Sequence, residues 1–220
     1  AASISKPITA LAALRLVEQG RLALDEDVNV RLRSWKVPEN EFTKQKPVTV
    51  RAILSHDAGF TVHCFPGYGV DAPVPSLVQV LDGLPPANTG PIRVDKVPGS
   101  GFRYSGGGTT VLQQLLMDVT GKPFPELMDE LVLRPLAMAS STFRAQARSV
   151  APTEDIAWAH DRNGEPVGGA FHTYPEMAAA GLWTTPSDLA RFVLAIQHAR
   201  KRGRNAILGP PLVADMLTVR

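Results

Sequence analysis

Apolar residues recur at helical spacing in four stretches of the chain, and long polar or Pro/Gly-rich segments separate them. In the first stretch Ile8, Leu11, Ala12, Leu14 and Val17 share one face, and Gly20 is a stop signal. The strongest stripe is Val111, Leu112, Leu115, Leu116 and Val119, closed by Gly121. Pro123 to Leu133 repeats the pattern through Phe124, Leu127, Met128 and Leu131 and stops at Arg134-Pro135. Thr185-Pro186-Ser187-Asp188 reads as a capping box with proline at the first helical position. It opens a helix carrying Leu189, Phe192, Val193 and Ile196. These stripes predict core packing. Shorter helices are expected from Val50 to Ser55, with Thr49 as N-cap, and from Ser76 to Leu81, ended by Gly83.

Between them, residues 22–28 form a turn-rich link. Residues 31–46 are a polar surface excursion with Trp35 as its anchor. Residues 61–75 and 85–101 have loop composition. Strand signals are few: 47–49, 157–159 and 170–171. There is no internal repeat. Helices joined by such long loops are unusual for a complete domain.

Composition narrows the class. With 220 residues, 44% hydrophobic and 20% charged, the chain is an ordinary globular protein of one domain or at most two small ones. A net charge of +2 gives no argument for nucleic acid, and Arg200, Lys201, Arg202 and Arg204 read as a solvated helix end. Cys64 is the single cysteine, so no intrachain disulfide forms, and His63 beside it makes no metal site. No metal or cofactor is indicated. No stretch is long and apolar enough to span a membrane, and no signal peptide is present. The chain begins without Met, two residues before its candidate nucleophile, so an upstream segment is expected.

That nucleophile is Ser3, in Ser3-Ile4-Ser5-Lys6. If a helix begins near Ser3, positions i and i+3 share a face and Lys6 lies over the serine hydroxyl. The free amides and positive dipole end of the first turn favour negative charge beside Ser3 and oppose positive charge on Lys6. Pro7 fits a first turn. By itself the spacing describes equally well a serine N-cap with an exposed lysine.

Four ordered stretches extend the pattern: Ala2-Ser3-Ile4-Ser5-Lys6, Ile53-Leu54-Ser55-His56-Asp57-Ala58-Gly59-Phe60, Phe102-Arg103-Tyr104-Ser105-Gly106-Gly107-Gly108, and Ala180-Gly181-Leu182-Trp183-Thr184-Thr185-Pro186-Ser187-Asp188-Leu189-Ala190. Together they resemble the serine β-lactamase and penicillin-binding protein superfamily, in its class C-like branch of β-lactamases, D-alanyl-D-alanine carboxypeptidases, D-amino-acid peptidases and β-lactamase-like esterases. The resemblance implies an α+β, β-lactamase/transpeptidase-like fold. It is expected here mainly as the helical part, with most of the antiparallel sheet missing at both ends, so that 1–220 is the central portion of an incomplete catalytic domain. It implies Ser3 as acylated nucleophile, Lys6 as acceptor of its proton and Tyr104 as a second basic group relaying a proton to the leaving group. His56 is a turn cap and not a base, and Asp188 is a cap and not an acid.

Two departures shape the expected substrate. Gly106 stands where the family has asparagine, so no side-chain amide meets the acyl side. No Lys-Thr-Gly or His-x-Gly strand motif occurs. Gly106 and Trp183 are the expected substrate-contact positions, with Phe65 and Tyr68 as further apolar surface. The partner is then a small ester, amide or peptide, with short esters favoured over β-lactams and Gly106→Asn expected to raise cephalosporin hydrolysis. The competing readings are a non-catalytic binder of peptidoglycan-like peptides and an inert fragment. Intact Ser3, Lys6 and Tyr104 favour the enzyme. Oligomeric state and compartment are not legible.

Overall fold

A computed structural model describes residues 1–144, 156–201 and 206–219. Ten α-helices appear among the described residues: α1 Ser5–Glu18, α2 Val28–Arg31, α3 Glu41–Gln45, α4 Val50–Leu54, α5 Leu77–Asp82, α6 Gly106–Thr120, α7 Phe124–Met128, α8 Met177–Ala180, α9 Pro186–Arg200 and α10 Pro210–Met216. No β-strand is found among these residues, only isolated bridges such as Asp27–Thr49, Tyr68–Thr173 and Thr142–Trp183. This is the helical part of an α+β fold.

α1 is central because it is apolar on nearly every side. Ile8, Leu11, Ala12, Ala13 and Leu16 are fully buried, and α6, α8 and the π-helical turn Asp129–Leu133 all pack on it. An all-round apolar helix is a core helix. α6 buries Val111, Leu112, Leu115 and Leu116 as its spacing requires, and Gly121 ends it at φ +69°. α4 is capped by Thr49, whose side chain accepts from the Ala52 amide, and α5 by Ser76 in a capping box with Gln79.

Several expectations are corrected. The helix predicted over Pro123–Leu133 splits: α7 covers Phe124–Met128, and the chain then widens into the π turn Asp129–Leu133, which buries Leu131, Val132 and Leu133 together. Residues 31–46 are not featureless. Asp27 caps α2, and Asn40 caps α3 in a capping box with Thr43. Trp35 is the anchor expected, donating its indole N–H to Asp82. No strand forms at 157–159 or 170–171; Ala159 donates its amide to the Ala170 carbonyl and accepts from the Val167 amide, and beyond these lies an isolated bridge at His160–Pro166. At α9 only half of the capping box forms. Thr185 accepts from the Asp188 amide, but the buried Asp188 carboxylate accepts from the Ser140 amide, the Ser141 hydroxyl and Arg191 instead. Val193 faces out, while Phe192, Ile196 and Ala199 face in. α10 had no periodic signal. It is held by Arg51, which pairs with both Asp25 and Asp215. Arg202 and Arg204 lie outside the described residues.

α8 is the short element that most affects the site. Gln113 of α6 holds it at two points, accepting from the Ala178 amide and donating to the Pro175 carbonyl. Glu176, just before it, is fully buried, and neither carboxylate oxygen has a hydrogen-bond partner among the described residues. Burial pushes this carboxyl up to about 7. A carboxyl raised in the folded state destabilises the fold as pH climbs past its unfolded value, and the penalty is fully present above the folded one. Glu176→Gln removes the ionisable group and with it the penalty. It should therefore raise stability at pH 8 by about 3 kcal/mol, the free energy by which burial disfavours the ionised carboxylate. The gain should vanish near pH 4. Urea unfolding at both pH values checks this, and an equal gain at both would refute it.

Candidate active site

Ser3 does not open the α-helix. It lies in a 3₁₀ turn, Ala2–Ile4, that precedes α1. In a 3₁₀ turn side chains at i and i+3 eclipse, so Lys6 meets Ser3 all the same: Lys6 Nζ is 3.0 Å from Ser3 Oγ. Ala2 enters the turn at φ +44°, a strained value for a residue with a side chain.

Two further groups complete the arrangement. Tyr104 Oη donates to Ser3 Oγ at 2.8 Å, across 101 residues of sequence. Lys6 Nζ donates to the Ala179 carbonyl of α8 at 2.9 Å and sits 4.9 Å from the Tyr104 ring centroid. Lys6 is thereby held at one serine, one carbonyl and one aromatic face. Ser5 locks the same turn from beneath. It is fully buried, donates to the Ala2 carbonyl at 2.6 Å and accepts from the Leu182 amide at 3.0 Å. It is thus a strut with no free hydroxyl to react. Thr9, also buried, donates to the Ser5 carbonyl at 3.0 Å. Ala179, Ser5 and Gln113 carry no signal in the sequence, because their roles depend on α8 arriving from the far end of the chain.

Electrostatics act on Tyr104. Burial pushes its phenol up, but hydrogen bonds with Lys6 and Ser3 and the Lys6 charge together outweigh burial and leave it below its ordinary value of 10. Tyr68 and Tyr174 go the other way. Burial raises both, and the Glu176 carboxyl adds to it.

Two histidines flank Tyr104: the His56 ring centroid lies at 4.5 Å and the His63 centroid at 4.9 Å. The His56 side chain does not cap its own turn as expected of it; it accepts from the Ser105 amide at 3.2 Å. His63 is exposed, and no group of three metal-ligating side chains occurs among the described residues.

Gly106 is buried as the first residue of α6, and its amide is donated to the His63 carbonyl at 2.9 Å. A Cβ there would lie 3.0 Å from that carbonyl and 3.1 Å from the Phe65 ring. Asparagine has no room at 106 unless the 63–65 loop gives way, so the cephalosporin gain expected of Gly106→Asn does not follow. The glycine is needed for close packing. Gly107 is tighter still, 2.5 Å from the Thr61 carbonyl to a built Cβ. Phe65 and Tyr68, expected as substrate surface, are core residues at 9% and 3% exposure. Trp183 is half-buried, edge-to-face with Phe171 at 4.9 Å. It lines a largely apolar cavity of about 310 Å3 that also includes Ala2, the neighbour of Ser3.

Comparison with known proteins places the chain in a family. Residues 1–217 match the family model for Beta-lactamase. Esterase EstB of Burkholderia gladioli is 32% identical over 200 residues, covering 84% of this chain and 48% of that protein. The D-alanyl-D-alanine-carboxypeptidase/endopeptidase AmpH of Escherichia coli (strain K12) is 25% identical over 199 residues, covering 87% of this chain and 47% of that protein. Among solved structures, EstCE1, a hydrolase with promiscuous acyltransferase activity, superposes with a TM-score of 0.73 at 27% identity, over 97% of this chain and 61% of that one. The chain spans about half the length of the curated relatives it matches.

The three tyrosines provide a direct test of the local field. On raising pH, the first phenolate absorbance near 295 nm should belong to Tyr104, below the ordinary value, and should be missing in Tyr104→Phe. Lys6→Ala should move that first step up. A first step that survives Tyr104→Phe would show that the site does not lower this phenol.

Proposed function

The chain belongs to the beta-lactamase family, and on that premise we propose that it carries the machinery of a serine hydrolase acting through an acyl-enzyme on an ester or amide. One observation supports this above all others: Lys6 Nζ and Tyr104 Oη converge on the single hydroxyl of Ser3 at 3.0 and 2.8 Å. Both distances are within the reach of general acid–base transfer. A binder has no use for two such groups on one hydroxyl.

In this reading Ser3 Oγ attacks the carbonyl carbon, and its proton passes to the Tyr104–Lys6 pair. Lys6 favours the phenolate by charge, which holds Tyr104 below its ordinary value and makes it a better proton acceptor. The Ser3 amide lies in a first turn, where it has no intrahelical acceptor, and is one donor to the oxyanion. As the tetrahedral centre collapses, the bond to the leaving group breaks and the proton goes to the departing oxygen or nitrogen. Water then attacks the acyl-enzyme, gives its proton to the same pair, and Ser3 Oγ recovers a proton as the acid leaves.

The substrate reading is a short ester in preference to a β-lactam or D-peptide. Position 106 has no side-chain amide for a polar acyl group, and the surface offered by Trp183 and Phe171 is apolar. The similarity to an esterase supports the same choice. Residues 1–220 are read as the central portion of the catalytic domain.

Labelling the full-length protein with an activated ester should place one adduct on Ser3, by mass mapping. Ser3→Ala and Lys6→Ala should each abolish it, and Tyr104→Phe should slow acylation by roughly 10²–10⁴-fold. An adduct on Ser5, Ser55 or Ser105, or near-normal rates in both base variants, would overturn the mechanism. The substrate preference has its own check. kcat/KM for a short p-nitrophenyl ester should exceed that for a chromogenic cephalosporin, and the reverse order would refute it.

A further inference from the structure

We propose that His56 is a positioning residue for Tyr104, and that it works only as a neutral imidazole. The inference rests on the serine-hydrolase reading for its kinetic consequence, but its geometry stands alone. His56 holds the backbone on both sides of Tyr104. Its carbonyl accepts from the Arg103 amide at 2.6 Å, and its Nδ1 accepts from the Ser105 amide at 3.2 Å. Its ring lies against the Tyr104 ring, 4.5 Å between centroids and tilted by 32°, and Phe102 meets the imidazole edge-on at 6.0 Å. One residue thus fixes three consecutive positions of the segment that carries the phenol. To do so His56 adopts φ +57°, a conformation that is costly for most residues and best tolerated by asparagine, aspartate and histidine.

The Ser105 bond dictates the tautomer. Nδ1 must carry the lone pair, so the ring proton sits on Nε2. A second proton can enter only at Nδ1, where it faces the Ser105 N–H and destroys that bond. It also places an imidazolium beside the Lys6 side chain from α1 and the His63 ring from the 61–75 loop. Burial, then Lys6, then His63 all hold His56 below its ordinary 6.5. The other neighbouring charges are engaged elsewhere. Arg103 pairs with Asp95 and the Gly59 carbonyl, and Asp57 accepts from the Ser55 hydroxyl at 3.1 Å. No carboxylate is hydrogen-bonded to the His56 ring among the described residues, and none adds to the forces that act on it. Protonation below pH 6.5 therefore releases Tyr104 from its place over Ser3.

Asparagine separates position from titration. Its Oδ1 stands where Nδ1 stands, accepts from the same amide, does not titrate and tolerates φ +57°. In the full-length protein, His56→Ala should lower kcat for a short p-nitrophenyl ester by about 10²-fold, the scale of a 1 Å misplacement, with KM little changed. His56→Asn should recover most of that loss at pH 7.5 and should lose the part of the acid limb that wild type shows below pH 6.5. A His56→Asn protein that keeps the wild-type acid limb, or a His56→Ala protein with wild-type kcat, would overturn the inference. A second readout needs no turnover. The first phenolate step should move up in His56→Ala, as Tyr104 leaves Lys6, and return to its wild-type position in His56→Asn. If no ester is hydrolysed but the phenolate step follows this order, the hydrolase reading fails and the positioning role stands. If the step does not move in a folded His56→Ala protein, the positioning role fails whatever the protein hydrolyses.

Discussion

The ammonium of Lys6 is the point on which the arrangement depends. Its position is fixed by one partner in its own turn, Ser3, and two from distant parts of the sequence, the Ala179 carbonyl from α8 and the face of Tyr104 ahead of α6. A lysine on an exposed helix face loses its rotamer entropy for little return. Here a helix–helix contact returns it, because α8 is locked to α1 by Ser5 and Thr9 and to α6 by Gln113. The ammonium is placed by packing, and the chemistry at Ser3 inherits the rigidity of the core beneath it.

The glycine run that opens α6 serves the same end by a different route. A helix start leaves its first amides without intrahelical partners. In α6 those of Gly106 and Gly107 go to the carbonyls of His63 and Val62, and that of Gly108 goes to the Ser105 hydroxyl. Such bonds require backbone to lie on backbone, which a Cβ at 107 would prevent. The loop that carries His63 is thus pressed against the residues following Tyr104, and the phenol is held between His56 and His63. The absence of asparagine at 106 follows from the same close approach.

What could be read from the sequence was what local rules govern. The stripes of α1 and α6, the Thr49 and Ser76 caps and the stops at Gly83 and Gly121 each depend on residues within a few positions. The site was half legible. Lys6 over Ser3 follows from a spacing of three, and the ordered motifs brought Tyr104 with them by resemblance. Illegible were the partners that arrive from far along the chain: the Ala179 carbonyl, the strut formed by Ser5 and Leu182, and the two points at which His56 holds the Tyr104 segment. A backbone carbonyl has no sequence signature, and a histidine's tautomer is set by a contact that periodicity does not contain. The π turn after α7 was missed because its apolar spacing still satisfies a helical template, and the outward Val193 because α9 lies on the surface, where one apolar residue costs little.

Strained backbone is spread along the chain, at Val62, Ala137 and Ala170 as well as near the site, and two of the five strained residues among those described adjoin the catalytic groups. Ala2 and His56 take left-handed φ values beside the nucleophile and beside its phenol. Glu176 buries a carboxyl with no hydrogen-bond partner for either oxygen among the described residues, one turn from the carbonyl that holds Lys6. None of these helps the fold locally, and each is held by what packs around it: Ser5 beneath Ala2, the Tyr104 segment over His56, and Gln113 beside α8. Native structures keep such positions where surrounding contacts over-determine them. The convergence of Lys6, Tyr104 and the Ala179 carbonyl separates a built site from a fortuitous Ser-x-x-Lys spacing. A serine N-cap with a lysine on an open helix face needs neither a strained entry residue nor a carbonyl delivered from 173 positions away.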